Sequence, residues 1–227
     1  MIKAMKITFG ILLTLGVLTY ALLKFLSEPI PTGYPSPEAD QIAIYMMESL
    51  NMADWVGTDS ISWTIQGSRS YDWNIMDHQV LLKWDGHEVL FDHNKGTGQV
   101  IDGDNYAQDE VDQLVAEAQE HFDSDSFWLC GPFKVLEYGT ERSLVQLKDG
   151  RVGLKVTYES GSYQGDTYVW LLDENYRPKS VKLWVSSIPI GGIEFTWDDY
   201  QQIESGAWLA QNHWSYGKFN VRVTGIQ

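Results

Sequence analysis

Most of the chain alternates between apolar and polar residues, and this pattern constrains the fold more than any other feature. Residues 80–84 and 87–91 both alternate, and Asp85-Gly86 between them suits a tight two-residue hairpin turn. Because strands joined by such short connections must run antiparallel, the pattern predicts a meander of about ten strands. The other predicted strands are residues 144–148, 151–158, 167–172, 180–185, 193–200, 208–214 and 219–226.

Two amphipathic helices are predicted to cover this sheet. Ser36 can cap the first helix, with Pro37 at its first position. The second helix is predicted over residues 109–121, where Val111 and Val115 belong to one apolar stripe. A sheet of so many strands tends to curl. The predicted fold class is therefore mainly β, a curved antiparallel half-barrel with two covering helices.

The N-terminus carries an uncharged, mostly apolar run over residues 7–23. At about 1.5 Å per residue it nearly spans a bilayer, which predicts a transmembrane helix. A cleaved signal peptide and a buried helix are the alternatives. Lys3 and Lys6 precede the run, which predicts a cytoplasmic N-terminus and a periplasmic or extracellular remainder, in a single-pass protein of the inner membrane. The predicted divisions are residues 1–27 as anchor or signal, 28–35 as a Pro-rich spacer and 36–227 as the β domain.

One face of the predicted strands is apolar along the whole series. The chain holds ten Trp, twelve Tyr and eight Phe residues, enough for a large core or for the walls of a cavity. Two interpretations stay open, because side chains could fill the concave face completely or could leave a pocket. The predicted ligand-binding residues of such a pocket are Trp84, Phe91, Tyr158, Trp170 and Trp197.

Charge and motifs exclude several classes of function. The formal net charge is −15, which disfavours nucleic acid as a partner. Cys130 is expected to be a buried small residue, since no His or basic neighbour in the sequence would lower its pKa. His87 and His93 are six residues apart on a strand, about 20 Å, which is too far for a shared metal. The sequence therefore predicts no catalytic residue, no metal, no cofactor and no enzyme.

A short segment, residues 125–134, resembles a signature of uncharacterised bacterial envelope proteins. Its sequence, Asp-Ser-Phe-Trp-Leu-Cys-Gly-Pro-Phe-Lys, is similar to the pattern Phe-Trp-Leu-x-x-Pro-Phe-Lys, and the turn ending at Gly139 and the segment Asp166-Thr-Tyr168 also fit. The proteins belong to the lipoprotein-localisation-factor superfamily, and the resemblance covers roughly residues 36–226. It implies a curved sheet closed by helices around an apolar cavity that binds acyl chains or other lipids. The chain departs from that pattern in its predicted uncleaved anchor and in lacking an acylated Cys.

These observations together predict a membrane-anchored domain outside the cytoplasm that binds lipid or another hydrophobic ligand in the concavity of its sheet. Its predicted partners are the membrane, through residues 7–23, and an apolar ligand. The alternative is a structural or adaptor domain that binds another envelope protein through a fully packed sheet. A third possibility is an enzyme whose polar groups converge only in the folded chain.

Overall fold

Thirteen antiparallel strands and four α-helices make up the part of the chain that this computed structural model describes, which is the backbone of residues 2–227 and the side chains of residues 13–227. The helices are α1 (Ile2–Leu26), α2 (Pro37–Glu48), α3 (Met52–Val56) and α4 (Gln108–Cys130), the last followed by a 3₁₀ turn at Gly131–Lys134. The strands are β1 (Ser60–Ile65), β2 (Arg69–Asn74), β3 (Gln79–Trp84), β4 (His87–Asp92), β5 (Thr97–Val100), β6 (Thr140–Gln146), β7 (Val152–Tyr158), β8 (Thr167–Leu172), β9 (Pro178–Trp184), β10 (Ile193–Thr196), β11 (Asp198–Gln202), β12 (Trp208–Ser215) and β13 (Phe219–Thr224).

The antiparallel β class is confirmed, but the prediction of one continuous half-barrel of about ten strands is wrong. The strands form an eight-stranded sheet in the order β11-β12-β13-β1-β2-β3-β4-β5 and a five-stranded sheet in the order β10-β9-β8-β7-β6. Helix α4 interrupts the meander between the two sheets. The last three strands then return to the first sheet, where β13 pairs with β1, so both ends of the domain lie in the same sheet.

Turn chemistry explains which hairpins could be predicted. Asp85 and Gly86 both have positive φ, 47° and 89°, as a two-residue turn between β3 and β4 requires. The predicted single strand over residues 193–200 is instead two strands in different sheets. Its backbone changes sheet at Trp197, whose N–H donates to the carbonyl oxygen of Lys179 at 2.8 Å.

The predicted transmembrane helix over residues 7–23 is corrected. Within the part of the chain that the structure describes, no helix is long and apolar enough to cross a membrane. The side chains of residues 7–12, which belong to the predicted span, lie outside the described ones.

Helix α2 begins as predicted, and α4 does not end as predicted. The side chain of Ser36 accepts a hydrogen bond from the N–H of Ala39, with Pro37 in the first turn. Helix α4 continues nine residues beyond the predicted end at His121. Its extension carries Asp125, which is buried because Arg69 on β2 donates to it through two nitrogens, at 2.5 and 2.9 Å, and Tyr71 donates at 2.6 Å.

The Pro-rich segment 28–35 lies along the outer face of the five-stranded sheet. The Nε1 of Trp184 donates to the carbonyl oxygen of Glu28 at 2.8 Å, and the carboxylate of Glu28 pairs with the buried Lys182 at 2.7 Å. Pro35 forms a bridge with Ser143 on β6. The segment is therefore in contact with the β domain, on the side where a second, smaller apolar cluster is buried. This cluster consists of Val145, Leu147, Val169, Leu171 and Trp184.

Candidate functional site

An open cleft of about 440 Å³ lies at one end of α4, where the helix meets both sheets. Six aromatic residues, four aliphatic residues, four serines and three acidic residues line it. The aromatic and aliphatic residues are Phe127, Trp128, Tyr163, Tyr168, Phe195, Phe219, Leu183, Val185, Ile188 and Val221. The polar residues are Ser124, Ser162, Ser186, Ser187, Glu120, Asp123 and Asp166.

Helix α4 presents one continuous face to the cleft. Glu120, Asp123, Ser124, Phe127 and Trp128 follow the spacing i, i+3, i+4, i+7, i+8, which brings them to the same side of an α-helix. The polar members come first and the aromatic members last, so polarity falls along the helix towards its C-terminus. This face exists only because α4 extends past its predicted end.

The aromatic side chains form a connected wall. Phe127 stacks on Tyr168 of β8 with ring centroids 4.4 Å apart, and Trp128 meets Phe195 of β10 edge-on at 4.9 Å. Phe195 in turn lies 6.1 Å from Phe219 of β13, across the gap between the two sheets. Phe219 is 55% exposed, whereas Phe195 is buried. The wall therefore runs from the core to the solvent, with Phe219 at the mouth of the cleft.

Two of the three cleft carboxylates are held by neutral donors. Asp166 accepts from the hydroxyl of Tyr168 at 3.0 Å and from the N–H of Ser186 at 3.2 Å. Asp123 accepts from the side-chain amide of Gln119 at 2.9 Å. Burial raises the pKa of both carboxyls above the ordinary range, and for Asp123 the charge of Lys134 opposes this increase in part.

A second, more polar pocket of about 360 Å³ adjoins the cleft and shares Asp123, Ser162 and Tyr163 with it. Lys134, at the end of the 3₁₀ turn, lines this pocket and not the cleft. Its Nζ donates to the hydroxyl of Tyr163 at 3.0 Å and to that of Ser126 at 3.1 Å. The ammonium lies 5.0 Å from the centroid of the Tyr163 ring, and burial raises the pKa of the Tyr163 hydroxyl.

The five residues predicted to line a pocket are all buried in the main core. Trp170 and Trp197 lie together, with centroids 5.0 Å apart, directly behind Phe127 and Trp128. Trp84 and Phe91 belong to the other sheet, where they contact His121 and Phe122 of α4. Tyr158 lines the polar pocket and donates to the carbonyl oxygen of Lys134 at 3.2 Å. Ligand binding by these five stays a prediction.

None of the five predicted ligand-binding residues lines the cleft, but two segments singled out by their resemblance do contribute to it. The segment Asp166-Thr-Tyr168 supplies Asp166 and Tyr168. The segment 125–134, singled out by its resemblance, supplies Phe127 and Trp128 to the cleft and Lys134 to the polar pocket. Cys130 in the same segment is buried, as predicted, and burial raises the pKa of its thiol to about 11. The loop residues and Phe219 carried no comparable signal.

Comparisons with known proteins assign no family. No family model matches the chain, and no curated protein matches it. A crystal structure described as an outer membrane lipoprotein-sorting protein domain from Vibrio parahaemolyticus is similar over 82% of this chain and 92% of that chain, with 9% sequence identity and a TM-score of 0.33. A TM-score this low carries no argument about family or function. The resemblance to the lipoprotein-localisation-factor superfamily therefore stays a prediction.

Proposed function

We propose that the protein binds a hydrophobic small molecule, such as a lipid chain, in the cleft formed by the end of α4 and the two sheets. The observation that carries this proposal is the open aromatic wall from Phe127 to Phe219. The volume of the cleft, about 440 Å³, falls within the range of about 300–1,000 Å³ that is typical of small-molecule sites. Burial of apolar ligand surface against such a wall is favourable by roughly 25 cal/mol per Å².

The site proposed here differs from the one predicted from the sequence. Trp84, Phe91, Trp170 and Trp197 face inwards as expected, but α4 packs against them. An apolar ligand would instead occupy the end of the same inner face, where the nearly buried side chains of Tyr168, Leu183 and Phe195 line the cleft. A binding role without catalysis, in a location outside the cytoplasm, remains part of the proposal.

A blocking substitution on α4 tests the site directly. Ser124 is exposed and lines the cleft, so Ser124→Trp would place a large ring in the opening without changing the core. The matched control is Ala116→Trp, because Ala116 is an exposed small residue of the same helix that lies outside the cleft. The readout is the fluorescence of N-phenyl-1-naphthylamine, a neutral apolar probe, titrated into each purified full-length protein.

We expect the unmodified chain and Ala116→Trp to bind the probe equally, and Ser124→Trp to bind it at least tenfold more weakly. Equal binding by all three proteins would show that the probe sits elsewhere. Absence of binding to the unmodified chain, together with no uptake of any lipid visible by native mass spectrometry, would favour the adaptor alternative.

A further inference from the structure

The cleft combines apolar walls with charge of a single sign. Glu120 and Asp123 lie on α4, and Asp166 lies opposite them at the start of β8. Among the described residues that line the cleft, none is Lys, Arg or His. The described part of the chain also contains no salt bridge to any of these three carboxylates. The negative charge inside the cleft is therefore not balanced by a basic residue of its own wall.

Solvent screens two of these carboxylates less than a fully exposed one. Asp123 and Asp166 are partly removed from water, so each acts more strongly on a neighbouring charge when it is ionised. Only neutral hydrogen-bond donors contact the carboxylate of Asp166. A cation entering the cleft would gain attraction from three carboxylates, and an anion would meet repulsion from all three.

We infer that the ligand of this cleft is an apolar molecule with a positively charged group, such as an alkyl amine or a quaternary ammonium amphiphile. The inference rests on the proposed function and names its ligand class. The alkyl part packs against Phe195 and Phe219, and the cation lies between Asp123 and Asp166. The aromatic faces of Tyr163 and Trp128 line the same space, and aromatic faces attract quaternary ammonium groups.

The neighbouring Lys134 provides the opposing hypothesis, since it would attract a fatty-acid carboxylate. Its ammonium is hydrogen-bonded to Ser126 and Tyr163, and Lys134 lines the polar pocket but not the cleft. An anionic head would have to pass Asp123 to reach it, because Asp123 lines both spaces. The charge arrangement of the cleft itself favours the cation.

The test compares ligands that share one alkyl chain and differ in charge. Decyltrimethylammonium and decanoate, below their micelle concentrations, and decanol, below its solubility limit, compete with N-phenyl-1-naphthylamine bound to the full-length protein. We expect the cation to displace the probe at about a tenfold lower concentration than decanoate, with decanol between them. Decylphosphocholine mimics a lipid headgroup. Its comparison with decyltrimethylammonium distinguishes a lipid headgroup from a simple amine as the source of the cation.

Variants that remove the three carboxylate charges test whether the preference for the cation arises in the cleft. In Glu120→Gln/Asp123→Asn/Asp166→Asn, the preference for the cation should fall to within about twofold. The matched control Asp72→Asn/Glu174→Gln/Glu204→Gln removes the same charge from exposed positions outside the cleft and should keep the preference. Should the triple cleft variant fail to fold, the exposed Glu120→Gln alone should lower the preference by about two- to threefold.

Three results would overturn the inference. Decanoate could displace the probe as well as the cation does, the control triple variant could lose the preference equally, or the cleft triple variant could keep it. In each case the probe itself still binds, so the proposed apolar site survives. Failure of the proposed function is different: the unmodified chain would not bind the probe, or Ser124→Trp would bind it as tightly as the unmodified chain does.

Discussion

His213 on β12 is completely buried between aromatic rings, and its protonation should therefore destabilise the fold. Its ring centroid lies 3.9 Å from that of Trp197 and 5.2 Å from that of Trp128, and its Nδ1 is 3.3 Å from the carbonyl oxygen of Thr196. Burial lowers the pKa of His213 from 6.5 to about 3, and the backbone carbonyls oppose this decrease only in part. The folded chain keeps the imidazole neutral at pH values where the unfolded chain protonates it.

The sign and size of the effect follow from linkage. Because the folded pKa is lower than the unfolded one, the stabilising contribution is present above pH 6.5 and is lost as the pH falls towards 3. At pH 5, about 1.5 units below the unfolded pKa, protonation stabilises the unfolded chain by about 2 kcal/mol, at about 1.36 kcal/mol per unit. His213→Leu removes this titration. Between pH 7 and pH 5, the free energy of unfolding of the unmodified chain should therefore fall by about 2 kcal/mol more than that of His213→Leu.

Urea unfolding followed by tryptophan fluorescence at both pH values measures this difference. The control is Leu209→Val, because Leu209 is buried on the same strand as His213 and carries no titratable group. The control should keep the full pH dependence of the unmodified chain. If His213→Leu and the unmodified chain lose equal stability on acidification, His213 is not buried as a neutral imidazole and the reasoning is refuted.

Three further substitutions test the packing around the site, each by urea unfolding at pH 7. Arg69→Met should cost about 3–5 kcal/mol, because it leaves the buried carboxylate of Asp125 without its cationic partner; a cost below 1 kcal/mol would contradict that. Trp170→Ala should cost about 3–5 kcal/mol through the cavity it creates in the core, and a near-neutral effect would mean that the ring is not packed. Glu28→Ala should cost about 1–3 kcal/mol, because the buried Lys182 loses its partner; no change would show that segment 28–35 is not fixed to the sheet.

Local sequence chemistry was sufficient to predict several elements of the fold. Asp85-Gly86 encodes its hairpin because both positions need positive φ, which Gly adopts freely and Asp tolerates better than most residues. Ser36 and Pro37 encode the start of α2 because the cap and the fixed φ act within one helical turn. The predicted strand over residues 167–172, a short apolar run, likewise matches the observed bounds of β8, Thr167–Leu172. These features depend only on neighbours in the chain.

The length of α4 depended on residues far away in sequence. Asp123 to Ser126 read as polar, so the predicted helix ended at His121, but Asp125 is stabilised in a buried helical position by Arg69 and Tyr71, more than fifty residues earlier. The helix consequently extends to Cys130 and brings Phe127 and Trp128 to the cleft. No local pattern encodes this pairing.

The sequence by itself determined the antiparallel strands, the inward direction of the aromatic side chains and the acidic character of the domain, because each follows from residue type and local spacing. Only the tertiary structure decided that the strands divide into two sheets and that α4 fills the space in front of Trp170 and Trp197. It also placed the cleft beside that helix and brought Asp166 opposite Asp123. The physical reason is that sheet pairing and helix packing depend on contacts between distant segments, which alternation along the chain does not specify.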